Sequence, residues 1–201
     1  MYIGLDLGTS GLKGVLIGKD QTVLAEATAP LTVQRPHEGW SEQAPSDWIS
    51  AAETVFDRLA AQKPLGGVRG IGLSGHMHGA TLLDARDEVL RPCILWNDGR
   101  SEAECAELER DWPALRQVTG NIAMPGFTAP KLLWVRKHEP QIFERTAKVL
   151  LPKAYLRWRL AGEYAEDMSD ASGTLWLDVG ARRWSEAALS ACGMRIDQMP
   201  R

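Results

Sequence analysis

The chain has 201 residues, of which 44% are hydrophobic and 24% charged, with a net charge of −3. This is the composition of an ordinary globular protein, long enough to bury a full core as one large domain or two small ones. It holds no long basic run for nucleic acid or an anionic membrane, no apolar stretch approaching a membrane span, and no signal-peptide pattern before its first strand-like residues.

The chain opens on Tyr2-Ile3-Gly4-Leu5-Asp6-Leu7-Gly8-Thr9-Ser10-Gly11-Leu12-Lys13-Gly14-Val15-Leu16-Ile17. Two apolar runs around a Gly-Thr-Ser-Gly turn predict a β-hairpin. Alternation puts Ile3, Leu5 and Leu7 on one face and Asp6 on the other. A loop of glycines and hydroxyls can offer N–H and O–H donors to a phosphate, and the adjacent carboxylate suits Mg²⁺. A plain hairpin turn has the same composition, and no Walker-type loop occurs in the chain.

A third strand is predicted over Thr22–Thr28, then a turn-rich loop from Gln34 to Gly39. Ser46 is the expected cap of a helix with Trp48, Ala52, Val55 and Leu59 at helical spacing, ended by Lys63-Pro64-Leu65-Gly66-Gly67. Val68–Ser74 reads as the next strand. Three strands, a helix and a strand make the opening of a ribonuclease-H-like lobe with a mixed sheet. Thr81–Asp84 and Val89–Leu90 predict a second hairpin, and Cys93–Trp96 a short strand. Ser101 and Glu104 have capping-box spacing and open a helix to about Arg110. Further helices are expected over Pro130–His138, over Pro152–Leu160 closed by Gly162, and over Ser185–Cys192 closed by Gly193. The alternation of strands and helices is that of an α/β fold.

Several stretches bear on chemistry. Gly70-Ile71-Gly72-Leu73-Ser74-Gly75 has dinucleotide-loop spacing, but its glycines lie inside a predicted strand and no helix follows. His76 and His78 are two apart and so expected to face one way, as metal ligands, as partners of a polyol, or as histidines satisfied by backbone. His37 and His138 show no partner spacing for a metal. Trp96-Asn97-Asp98-Gly99-Arg100 offers a flat ring and polar groups suited to a sugar, or a helix entry with a surface Asp98–Arg100 pair. Asp167 and Asp170 are either acid/base groups or members of a turn-rich loop. Cys93, Cys105 and Cys192 are odd in number and widely spaced, which fits a reducing cytoplasm without zinc.

The pattern D-x-G-T-x-x-x-K from Asp6 to Lys13 resembles the first phosphate motif of the actin, Hsp70 and sugar-kinase superfamily. The run from Gly126 to His138, with Met77-His78-Gly79, Trp96–Arg100, Met124–Lys131 and Asp167–Asp170, is similar to the FGGY carbohydrate kinases, and within them the xylulokinases. The resemblance implies a ribonuclease-H-like lobe, a mixed five-stranded sheet flanked by helices with an inserted hairpin and helices, and phosphorylation of D-xylulose by ATP. It implies that Asp6 is catalytic and holds Mg²⁺ through water, and that Gly8, Thr9, Ser10, Gly11 and, less directly, Lys13 line the phosphate path. Met77 and His78 would contact the ketose, with Trp96 and Asp98 nearby; glycerol-kinase relatives carry Arg-Glu where Met77-His78 stands. His76 departs from the Gln usual in xylulokinases. The general base and the adenosine-binding C-terminal lobe are expected beyond Arg201, making residues 1–201 an N-terminal lobe. A homodimer is left open.

Overall fold

The computed structural model describes every residue, Met1–Arg201. Alternating apolar residues decide which face of the opening strands meets the core. β1 (Tyr2–Leu7) and β2 (Gly11–Ile17) form the expected antiparallel hairpin, with Asp6 opposite Lys13 and Leu7 opposite Leu12. Ile3, Leu5, Leu7, Leu12 and Leu16 are buried, whereas Asp6 and Lys13 stand exposed on the other face. β3 (Val23–Pro30) joins β2 and turns Ala25, Ala27 and Ala29 to the same inner side.

After β4 (Glu42–Gln43), helix α1 (Pro45–Gln62) lays Trp48, Ala51, Ala52, Val55 and Leu59 against that inner face. Ser46 does not cap it. Ala44 occupies the cap without a side-chain bond, and Pro45 starts the first turn, where its missing N–H costs nothing. The chain returns as β5 (Ile71–Gly75), parallel to β1, with Ser74 beside Asp6.

The sheet order is β3-β2-β1-β5, four strands rather than the expected five. After β5 the chain turns at His78, whose φ is +66°, and β6 (Thr81–Leu83) lies outside this sheet. The later strands pair elsewhere. β7 (Cys93–Ile94) pairs with β4. Helices α2 (Glu102–Asp111), α3 (Leu115–Thr119), α4 (Thr128–His138) and α5 (Pro140–Arg145) follow. β8 (Lys148–Leu150) then pairs with β6, and α6 (Pro152–Ala161) returns to pack on β5. The chain ends with α7 (Met168–Ser172), the β9 (Leu177–Asp178) and β10 (Arg183–Trp184) pair, and α8 (Glu186–Ala191).

Two cores result. One lies between the four-stranded sheet, α1 and α6. The other gathers Leu82, Ile94, Phe127, Leu132, Trp134 and Trp176 among the later helices. The expected second hairpin is present, with the Leu90 N–H donating to the Leu82 carbonyl at 2.9 Å. The capping box at Ser101 is not: its hydroxyl donates to the Pro125 carbonyl, and Glu104 meets Lys137 at 3.1 Å. Ser185 does cap α8, while Gly162 and Gly193 take the left-handed conformation expected of helix ends. All three cysteines are buried and unpaired, and no helix is long and apolar enough to cross a membrane.

Candidate active site

The hairpin turn closes on itself and leaves donors over. The Gly8 N–H donates to the Gly11 carbonyl at 3.0 Å, whereas the Thr9 and Ser10 N–H groups and the Ser10 hydroxyl have no acceptor in the chain. Two long-range bonds fix the loop. Gln43 Nε2 donates to the Thr9 carbonyl at 2.7 Å, and Trp96 Nε1 donates to Thr9 Oγ1 at 3.0 Å. Gln43 is itself held by Trp48, whose Nε1 donates to Oε1 at 3.0 Å. A rigid turn with free N–H and O–H donors is a site for an anion.

Asp6 lies at the end of β1 beside this turn, exposed and without an ion pair or hydrogen bond. Lys13, its cross-strand neighbour, instead meets Glu26 at 3.4 Å. A hard carboxylate with no protein cation suits a divalent ion that keeps part of its water shell, so the donor set fits Mg²⁺.

The two histidines after β5 do not share a direction. His76 is buried, edge-on to Trp48 at 5.6 Å, with neither ring nitrogen hydrogen-bonded. Burial lowers its pKa to about 4, against the pull of Asp6. His78 sits at the centre of a three-residue turn in which the Gly79 N–H donates to the Met77 carbonyl at 2.8 Å, a rare and strained conformation. The Thr128 hydroxyl donates to the His78 carbonyl at 3.0 Å, and the Phe127 ring meets the imidazole edge-on at 4.6 Å. Burial and the nearby Lys131 ammonium lower the His78 pKa to about 4, partly offset by the Gly173 backbone. The two imidazoles therefore have different neighbours and form no metal-binding pair. Met77, next to His78, is 44% exposed.

Trp96 is 43% exposed, and its indole N–H reaches Thr9 of the hairpin turn. Its backbone is pressed against the loop before α4: a Cβ at Gly126 would stand 2.7 Å from the Trp96 carbonyl oxygen, so only glycine fits. Asp98 differs from Trp96 in kind. Its side chain is fully buried, and its oxygens accept from the Ser41 N–H at 2.6 Å, the Arg100 N–H at 3.0 Å, and Arg100 Nε and Nη2 at 2.9 and 2.7 Å. The expected Asp98–Arg100 pair exists, but inside the protein rather than at its surface. Asp98 anchors the turn that carries Trp96 and has no oxygen left for the open face.

That pair belongs to a network invisible in the sequence. Glu42 accepts from Arg100 at 2.7 Å and from Arg91, which also meets Glu139 at 3.1 Å. The Arg100 guanidinium lies 3.7 Å from the Trp40 ring centre and 5.0 Å from that of Trp134. Lys131, fully buried, donates to the carbonyls of Gly126 and Phe127, and desolvation brings its pKa down to about 7.

Asp167 ends a loop as expected, whereas Asp170 lies in a helix. Asp167 caps α7, accepting from the Asp170 N–H at 3.0 Å. With Glu166 they surround Lys153, which lies 3.0 Å from Glu166 and 2.9 Å from Asp170 and also contacts Asp167. Burial raises the Glu166 pKa to about 7 despite that ammonium. A hollow of about 570 Å³ beside this cluster is lined by Ile71, Leu73, Arg157 and Leu160, and includes no residue of the hairpin loop or of the His76–His78 turn.

An antiparallel opening hairpin, a crossover helix and a parallel return strand, with a donor-rich turn and a free carboxylate at one end, define a lobe of the actin, Hsp70 and sugar-kinase type. All 201 residues match the N-terminal domain of the FGGY family of carbohydrate kinases, and the chain belongs to that family. It is 57% identical over 200 residues to the xylulose kinase of Escherichia coli (strain K12) and 56% identical to that of Klebsiella pneumoniae, covering 100% of this chain and 41% of each relative. Among solved structures, the xyloylose kinase from Brucella ovis superposes with a TM-score of 0.97 at 59% identity, covering 100% of this chain and 42% of the other. The xylulose kinase from Rhodospirillum rubrum gives 0.94 at 32% identity, covering 99% of this chain and 42% of the other. The chain thus spans about two fifths of the length of the curated relatives it matches.

Proposed function

We propose that this lobe receives the terminal phosphates of ATP and holds D-xylulose for phosphorylation at its terminal hydroxyl, in a cleft completed by a second lobe. The observation that carries the reading is the Trp96–Thr9 hydrogen bond, which ties the donor-rich turn to the exposed Trp96 ring. Xylulose kinases at 57% and 56% identity supply the ketose.

Phosphoryl transfer asks a protein mainly for in-line positioning and charge stabilisation. The Thr9 and Ser10 N–H groups and the Ser10 hydroxyl supply donors, with Gly8 and Gly11 allowing close approach. Asp6 would hold Mg²⁺ through its waters. When bound, that ion neutralises charge on the phosphate oxygens. Lys13, held by Glu26, acts at longer range.

His78, with a pKa of about 4, is neutral at physiological pH and too weak a base to take the sugar proton. It positions the ketose by hydrogen bonding, beside Met77 and the Trp96 ring. The proton is taken by a base on the second lobe, which also binds adenosine. Three buried free thiols support a cytoplasmic location.

ADP release by the complete kinase, measured with D-xylulose, other pentuloses, glycerol and no sugar, tests this. Turnover stimulated most by D-xylulose is expected. Turnover indifferent to sugar, or greatest with glycerol, overturns it.

A further inference from the structure

Two features have no part in the phosphoryl-transfer reading, namely the helix α7 and Lys153 among its carboxylates, and both bear on the strained turn at His78. They meet at one place. The His78 ring meets the Phe127 ring edge-on and also packs on Gly173, where a Cβ would overlap both Cε1 and Nδ1 of the imidazole. Its backbone is fixed too, by the Thr128 hydroxyl on its carbonyl. A non-glycine residue in the left-handed region persists where its surroundings over-determine it, and such residues gather at functional sites.

Gly173 owes its place to α7. Its N–H donates to the Asp170 carbonyl at 3.1 Å, ending the helix, and Asp170 is in turn held by Lys153 of α6 at 2.9 Å. Glu166 and Asp167 contact the same ammonium. The acidic trio is therefore occupied by a protein cation and joins α7 to α6.

We infer that α7 is a positioning element for the imidazole of His78, with Gly173 as its point of contact and Lys153 as its anchor. Sugar preference is then set partly by residues that do not touch the sugar. This rests on the reading in which His78 holds the ketose. A methyl group at position 173 drives the ring off its rotamer, a displacement that weakens ketose binding about tenfold.

The test is steady-state kinetics on the complete kinase, with NMR of the His78 Cε1–H resonance and melting temperatures for each variant. Gly173→Ala should raise KM for D-xylulose about tenfold and shift the His78 resonance, with kcat and KM for ATP within about twofold. Asp170→Asn, which loosens the anchor, should raise the same KM about threefold. His78→Asn is measured alongside. If it leaves KM for D-xylulose unchanged, His78 does not hold the sugar, and the underlying reading fails. If it raises KM while a folded Gly173→Ala changes neither KM nor the resonance, the role of α7 is refuted and that reading stands. Should Gly173→Ala fail to fold, an unchanged KM in folded Asp170→Asn overturns the inference.

Discussion

Both halves of this lobe have an apolar core, but only one of them also buries a network of charge. The sheet half is an apolar sandwich: leucines and alanines of β1, β2 and β3 face the Trp48–Leu59 stripe of α1, and its functional groups are left over on the exposed side. The half built on the later helices buries charge. The Arg91, Arg100, Glu42 and Asp98 side chains are interior, with Arg100 stacked on Trp40, and Lys131 is buried among carbonyls. The first half forms its donor-rich turn by hairpin geometry, steadied by Gln43 and Trp96 on Thr9. The second positions Trp96 and His78 through contacts that are individually costly to break.

That difference makes the halves separable by mutation. The largest effect is expected at Asp6. In the complete kinase Asp6→Ala should lower kcat about 10³-fold, roughly 4 kcal/mol, while calorimetric affinity for D-xylulose stays within about twofold. Lost sugar affinity with intact kcat would show that Asp6 serves the sugar instead. Next is Arg100→Met, which strips the buried Asp98 carboxylate of its cation and leaves Glu42 with Arg91 alone. It should cost about 3 kcal/mol in urea unfolding, whereas an exposed pair such as Arg195–Asp197, broken by Arg195→Met, should cost under about 1 kcal/mol. Equal losses would mean that the interior network contributes nothing special.

Acid sharpens the contrast further. The His76 pKa falls from 6.5 unfolded to about 4 folded, so between these values the unfolded chain binds more protons. The associated stability is present above about pH 6.5 and is lost as pH falls toward 4, about 2 kcal/mol of it between pH 8 and pH 5. His76→Gln should remove that part of the slope in unfolding curves measured against pH. An unchanged slope would place the acid sensitivity elsewhere. The smallest effect is expected at the link between halves: Trp96→Phe keeps a ring but loses the donor to Thr9, and should lower kcat/KM for D-xylulose about fivefold, near 1 kcal/mol. No change would show that the halves need no such tie.

The same contrast governs how much the sequence reveals. In β1 and β2 a period of two around Gly8–Gly11 names the buried face, the turn and the position of Asp6, because every determinant is local. In the other half the determinants are distant in sequence: Glu42 meets Arg91 and Arg100, and Gly173 meets His78. No periodicity announces a buried arginine or a glycine that makes room for a ring. The five residues of α7 have turn composition, and the one local sign of a helix is the Asp167 cap. Alternation past β5 misleads at His76 and His78 because the strand has already ended, and a left-handed residue resets the direction.

The central claim is that the hairpin turn receives the terminal phosphates of ATP. A crystal structure of the complete kinase with a non-hydrolysable ATP analogue and Mg²⁺ tests it most directly. The account predicts phosphate oxygens about 3 Å from the Thr9 and Ser10 N–H groups, with water of the metal on Asp6. Phosphates seated away from residues 6–13 would contradict it.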